Sequence, residues 1–154
     1  MKHGKRVILQ CVPTMVSGGV ERGTIDMADA IYSVGMTPLV ISNGGPLVEK
    51  LESVGARHIQ YPIHKKTPLT VINAARFIDK VCEEEGVDLV QARSRIPAWA
   101  AYFSTKKSGI PFITTWHSYH SHGSWFKKQY NKVMGYGDKV VAISQFMRGH
   151  MLND

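Results

Sequence analysis

Short apolar runs alternate along the chain with amphipathic stretches, and that alternation predicts its elements. Residues 6–12 are nearly all apolar (Val7, Ile8, Leu9, Cys11, Val12), the pattern of a strand buried on both faces in a parallel sheet, and Pro13 turns the chain. Apolar or small residues then recur at Val20, Thr24, Met27, Ala28, Ile31 and Val34, one face of a helix that Gly35 stops. The unit repeats with a strand over 37–41, a short helix through Leu47, Val48, Leu51 and Val54 ending at Gly55, and a strand over 58–61. After a polar connection, a helix is predicted over 69–85 with Ile72, Ala75, Ile78 and Cys82 on one face and Gly86 as its stop. A strand over 87–91 follows. Pro97 suits the first turn of a helix through Lys107, in which Ala98, Ala101, Tyr102 and Thr105 share a face. A strand over 111–116, a helix over 125–134, a strand over 139–143 and a helix capped by Ser144 complete the order. Strands alternating with helices mean βαβ units. The expected fold is α/β, a doubly wound Rossmann-like parallel sheet with helices on both faces. Ligands bind such sheets at the carboxyl ends of the strands, so the loops there are where chemistry is sought.

A length of 154 residues suits one domain, 1–154, and 44% apolar with 20% charged residues suits a folded core. No segment reaches the roughly 20 apolar residues that span a bilayer. Residues 1–6 are basic, but the apolar stretch behind them lacks a small-residue cleavage site and reads as a strand. Two cysteines, one in an apolar run and one on a predicted helix, fit a reduced, cytoplasmic chain. Nineteen Lys and Arg against twelve Asp and Glu give a formal charge of +7, which favours nucleic acid, anionic lipid or phosphorylated ligands as partners.

The first loop of interest is Ser17-Gly18-Gly19-Val20-Glu21-Arg22-Gly23, between strand and helix. Glycines permit close backbone approach, and a helix N-terminus offers free N–H groups to a phosphate; the alternative is a tight structural turn. Neither G-x-G-x-x-G nor a Walker sequence is present. The second loop, Ala92-Arg93-Ser94-Arg95, sets two arginines where a fork for carboxylate or phosphate would be useful, or simply a solvated pair. The third runs from Thr115 through His117, His120 and His122. Its histidines suit proton transfer, hydrogen bonding to a sugar hydroxyl or metal ligation, but no cysteine cluster or H-E-x-x-H accompanies them, and a polar ligand surface is expected rather than a metal site.

Residues 124–134 group Trp125 or Phe126 with Tyr130, Val133 and Met134, and set Lys127, Lys128, Asn131 and Lys132 opposite. This suits the headgroup zone of an anionic membrane, or a core helix with a wet lysine face. Nucleic acid binding would use similar residues, but no RNP, KH or zinc-finger signature supports it, and no nucleic acid partner is expected. Carboxylates fall mostly on exposed helix positions, with Glu21 alone in a ligand-facing loop, and there is no G-x-S-x-G elbow. A hydrolase is not supported.

Taken in order, Ser17-Gly18-Gly19-Val20-Glu21-Arg22, Asp88 through Arg95, Pro111 through His117 and Val140-Val141-Ala142-Ile143-Ser144 resemble the N-terminal, acceptor-side half of a retaining, family 4 glycosyltransferase of GT-B fold. The resemblance covers nearly the whole chain. It implies transfer of a sugar from a nucleotide-diphosphate donor to a glycan, glycolipid or lipopolysaccharide-type acceptor, with no metal ion or other cofactor. It also implies that Gly18, Gly19 and Glu21 face the donor, that His117 is the catalytic-site histidine beside the transferred sugar, and that Arg93, Ser94, Arg95 and Ser144 meet the acceptor or a phosphate. Gln91 stands where the family often has histidine, and Trp116 where a smaller residue is common. Both departures bear on the acceptor.

In the family a second Rossmann-like domain holds the nucleotide and carries an E-x7-E pair of glutamates. Here the glutamates beyond residue 52 are Glu83, Glu84 and Glu85, on one predicted helix. The expectation is therefore a fragment of a longer chain, or one subunit of a two-chain enzyme, that transfers no sugar alone. It would work in the cytoplasm, peripheral at the inner face of a membrane, with Trp125, Phe126, Lys127, Lys128 and Lys132 docking. A non-catalytic glycan- or nucleotide-binding module is the alternative.

Overall fold

Six parallel strands, β1 (Val7–Cys11), β2 (Thr37–Ser42), β3 (Arg57–Gln60), β4 (Leu89–Ala92), β5 (Phe112–Trp116) and β6 (Lys139–Ala142), form one sheet in the order β3-β2-β1-β4-β5-β6. The computed structural model describes residues 4–118 and 123–152. The order reverses between β1 and β4. There the crossovers leave to opposite sides, opening a crevice at the strands' carboxyl ends. The helices are α1 (Gly19–Ser33), α2 (Val48–Ser53), α3 (Pro68–Glu85), α4 (Arg95–Ser108), α5 (Trp125–Asn131) and α6 (Gln145–Leu152), with a 3-10 turn at Lys132–Gly135.

Alternation along the strands divides the core in two. Leu9, Cys11, Leu39, Ile41, Val90 and Ala92 face a large cluster with Ile78, Val81 and Cys82 of α3, Ala98 and Ala101 of α4, and Met134. The opposite face packs Val40 with Ile25 and Ala28 of α1 and Leu51 of α2. Both cysteines are free and buried; burial pushes the Cys11 thiol far up and, with Asp79 and Glu83 nearby, the Cys82 thiol up to about 12. They are core residues, not nucleophiles. At the amino ends, Asp88 accepts from the Val7 N–H and Asp138 from the Phe112 N–H, each at 2.8 Å, fastening β4 to β1 and β6 to β5.

Helix ends follow the sequence signals. Thr67 caps α3 by accepting from the Thr70 N–H at 3.3 Å, Pro68 opens it, and Gly86 closes it at φ +64°. The buried stripes sit differently from the expected ones. On α1 it runs Thr24, Ile25, Ala28, Ile31, leaving Met27 and Val34 exposed. On α3 it includes Ala74 and Val81 but not Ile72, because that helix packs on α4 as well as on the sheet. The expected helix over 125–134 tightens into the 3-10 turn after Asn131. Consequently Asn131, expected on the wet face, is buried with Val133 and Met134.

Candidate functional site

The polar residues near the switch point share one face of the sheet by strand geometry. In register, Gln10 of β1 lies beside Gln91 of β4; two residues on from Gln91 is Arg93, and Thr115 and His117 follow the same period on β5. Gln91 donates to the Thr115 hydroxyl at 2.8 Å. The Arg93 N–H continues the ladder to the Cys11 carbonyl at 3.4 Å, which fixes where its side chain departs.

Arg93 is only 5% exposed. Its Nε donates to Gln10 Oε1 at 3.1 Å and its Nη1 contacts His117 Nε2 at 3.0 Å, while Nη2 is buried with no hydrogen-bond partner among the described residues. Gln10 in turn donates from Nε2 to the Thr24 carbonyl of α1 at 3.2 Å. Among the described residues no carboxylate forms an ion pair with Arg93. Burial pushes its pKa down to about 10, opposed in part by the field of Asp26. The guanidinium therefore stays charged at neutral pH. Burial first, and then the Arg93 charge, hold His117 below the ordinary histidine value.

The glycine turn reaches this pair through α1. Gly18 has φ +129°, and a Cβ there would lie 2.9 Å from Glu21 Oε2, so the missing side chain lets the Glu21 carboxylate fold back over the turn. Gly19 begins the helix, where the first-turn N–H groups and the dipole favour an anion. One turn on, a Cβ at Gly23 would stand 3.3 Å from His117 Cε1 and 3.4 Å from Arg93 Nη1. The segment ahead of Gly18 is tied to the loop after β2, with Met15 N–H donating to the Gly44 carbonyl and Leu47 N–H to the Met15 carbonyl, both at 2.9 Å.

The two arginines do not make the expected fork. Ser94 is the N-cap of α4 without using its hydroxyl, and Arg95 is the first helical residue, so its side chain leaves the strand end in another direction. Arg95 donates to Asn131 Oδ1 at 2.8 Å and lies over the Tyr130 ring at 5.2 Å. Ser144 accepts from the Met147 N–H at 3.2 Å, capping α6, and lines an open groove of about 570 Å³ beside β6, with Val140, Arg148 and Met151. Trp125 and Phe126 are 67% and 78% exposed, their rings edge to face with centroids 5.1 Å apart, with Lys127, Lys128 and Lys132 also exposed. Trp116 is buried and donates to the Met134 carbonyl at 2.8 Å. His120 and His122 lie outside the described residues. Among the described residues no three His, Cys, Asp or Glu side chains gather as a metal site requires, and no helix is long and apolar enough to cross a membrane.

Gln10 and Thr24 were not singled out as site residues from the sequence, and Gly23 entered only as the last residue of the glycine loop. Gln10 interrupts an apolar strand, and its shared period with Gln91, Arg93, Thr115 and His117 is the signal that finds it once the strand order is known.

The six-stranded parallel sheet with helices on both faces and a switch-point crevice is a Rossmann-like half of the GT-B type. The chain is a member of Glycosyltransferase Family 4, whose model matches residues 17–154. A glycosyltransferase from Rickettsia africae ESF-5 is 43% identical, with a TM-score of 0.84 over 99% of this chain and 40% of its own. HepE of Anabaena, solved with UDP-glucose, is 18% identical, with a TM-score of 0.73 over 96% of this chain and 40% of its own. A UDP-N-acetylglucosamine 2-epimerase from Listeria monocytogenes, described as putative in name, is 12% identical, with a TM-score of 0.69 over 97% of this chain and 42% of its own. The last two share the fold alone. The chain thus spans well under half the length of these relatives, and no curated protein sequence matches it.

Proposed function

We propose that this chain is the acceptor-side half of a glycosyltransferase that moves a sugar from a nucleotide-diphosphate donor to a glycan or glycolipid acceptor, and that a second domain, in cis or in trans, holds the nucleotide. Gly18, Gly19 and the first turn of α1 take the donor diphosphate, with Glu21 limiting how closely it approaches. His117 hydrogen-bonds the transferred sugar. Arg93, through its unpaired Nη2, and the free Ser94 hydroxyl meet the acceptor or its phosphate; Arg95 and Ser144 border that surface. No metal or other cofactor takes part. The protein works in the cytoplasm at the inner face of a membrane, where Trp125, Phe126, Lys127, Lys128 and Lys132 dock on anionic lipid in cell-envelope or lipopolysaccharide synthesis.

The observation that carries this reading is the buried Arg93 guanidinium at the switch point of a Family 4 chain, which among the described residues has no carboxylate partner and an Nη2 without a hydrogen bond. A buried cation without a counter-ion costs several kcal/mol. An anionic ligand oxygen at Nη2 offsets that cost. The test is an NMR titration of the 154-residue chain with a phosphorylated sugar and, separately, a nucleotide sugar. Shifts should centre on Gly18, Gly19, Arg93 and His117, and Arg93→Met should weaken binding of the phosphorylated sugar at least tenfold, about 1.4 kcal/mol. No transfer should occur. Transfer by the chain alone, or binding elsewhere, overturns the reading. For membrane docking, flotation should favour anionic over neutral vesicles and should fall when the three lysines are replaced by alanine.

A further inference from the structure

We propose that Arg93, steered by Gln10, fixes the tautomer of His117, so that the imidazole meets its ligand as a neutral Nδ1–H donor and does not act as a base. Arg93 is thus a positioning residue. The direction of every hydrogen bond in the chain that reaches His117 is determined at its two ends. At one end the Thr24 carbonyl can only accept, so Gln10 presents its amide NH2 to α1 and its oxygen to Arg93. At the other, a guanidinium has five N–H donors and no lone pair to offer, so the 3.0 Å contact between Arg93 Nη1 and His117 Nε2 requires Nε2 to accept. With Nε2 unprotonated and the ring neutral, the proton is on Nδ1. No amide or ring flip satisfies both ends.

The arrangement has chemical consequences. Proton uptake at Nε2 would set an N–H against an N–H in a half-buried site beside a positive charge. Among the described residues packed around the ring, Arg93, just beyond β4, is the charge acting on it, while α1 presents Gly23, which has nothing to titrate. Arg93 itself keeps its proton at neutral pH. Nδ1, by contrast, takes no hydrogen bond from the described residues. Whatever ligand atom faces it must be an acceptor: a hydroxyl or ring oxygen of a sugar, or a phosphate oxygen. A group with only N–H donors at that point is refused. The tautomer follows from the geometry alone; only its use toward a sugar rests on the function proposed above.

The test needs no substrate. The chain is labelled with 15N-histidine, and His117 is assigned by its loss in His117→Gln. Long-range N–H correlation at pH 7 should show a pyrrole-type Nδ1 and a pyridine-type Nε2. A protonated Nε2, or an averaged signature, in the unaltered protein overturns the proposal, and this spectrum decides the tautomer even if a variant fails to fold. In folded Arg93→Met the single-tautomer signature should disappear and the titration midpoint of His117 should move up, because a donor and a like charge are gone. An unchanged His117 spectrum in that variant also overturns the proposal, since a merely structural arginine would leave it unmoved. If the tautomer is as stated but phosphorylated and nucleotide sugars leave His117 unperturbed, the glycosyl-transfer reading fails and the tautomer stands.

Discussion

The carboxyl ends of β1 and β4 and the β6 margin lie along one side of the same sheet, yet they are built in opposite ways. At the switch point polar side chains are buried or half-buried and joined: Gln10, Arg93 and His117 form a hydrogen-bonded chain. At the margin apolar side chains are bare. Val141 and Ile143 are 44% and 52% exposed on the face that α1 and α2 cover farther along, and Phe146 of α6 is 75% exposed. Burying polar groups costs free energy unless their partners are in place, so the first region is organised before any ligand arrives. The margin has no such network among the described residues; its apolar side chains simply meet solvent.

Substitutions should separate the two regions by size of effect. Gln10→Leu keeps the volume but removes the oxygen that holds Arg93 Nε, and stability should drop by about 3 kcal/mol in urea unfolding, because a buried charge loses a partner. A drop below about 1 kcal/mol would mean that the guanidinium finds water or another acceptor. Arg95→Ala lies between the regions. It breaks the bond to Asn131 and the contact with Tyr130, and should cost about 1 kcal/mol, since Arg95 is partly solvated. Trp125→Ala and Phe126→Ala should each stay within about 0.5 kcal/mol in the same measurement, as these rings cover little of the core. A larger loss there would make α5 a structural helix and weaken the contrast.

The fold was legible in the sequence because its evidence is local: apolar runs, helical periodicity, and stops at Gly35, Gly55 and Gly86. The helix stripes were less so. Met27 and Ile72 fit a helical period but face solvent, because which arc of a helix is covered depends on its neighbours. In the site, His117 and the glycine turn were visible as loop chemistry. The fork of Arg93 and Arg95 was not there to be found: two residues apart means one thing on a strand and another across a strand–helix junction, and Ser94 is that junction. Gln10 was hidden because its partners are 14 and 83 residues away and meet it only when β4 lies beside β1.

Gly23 leaves α1 within van der Waals reach of both the imidazole and the guanidinium, while the same helix carries the glycine turn at its tip. One helix thus carries two parts of the site: its first residue follows the glycine turn, and one turn on its backbone borders the imidazole and the guanidinium, where a side chain larger than hydrogen would crowd both.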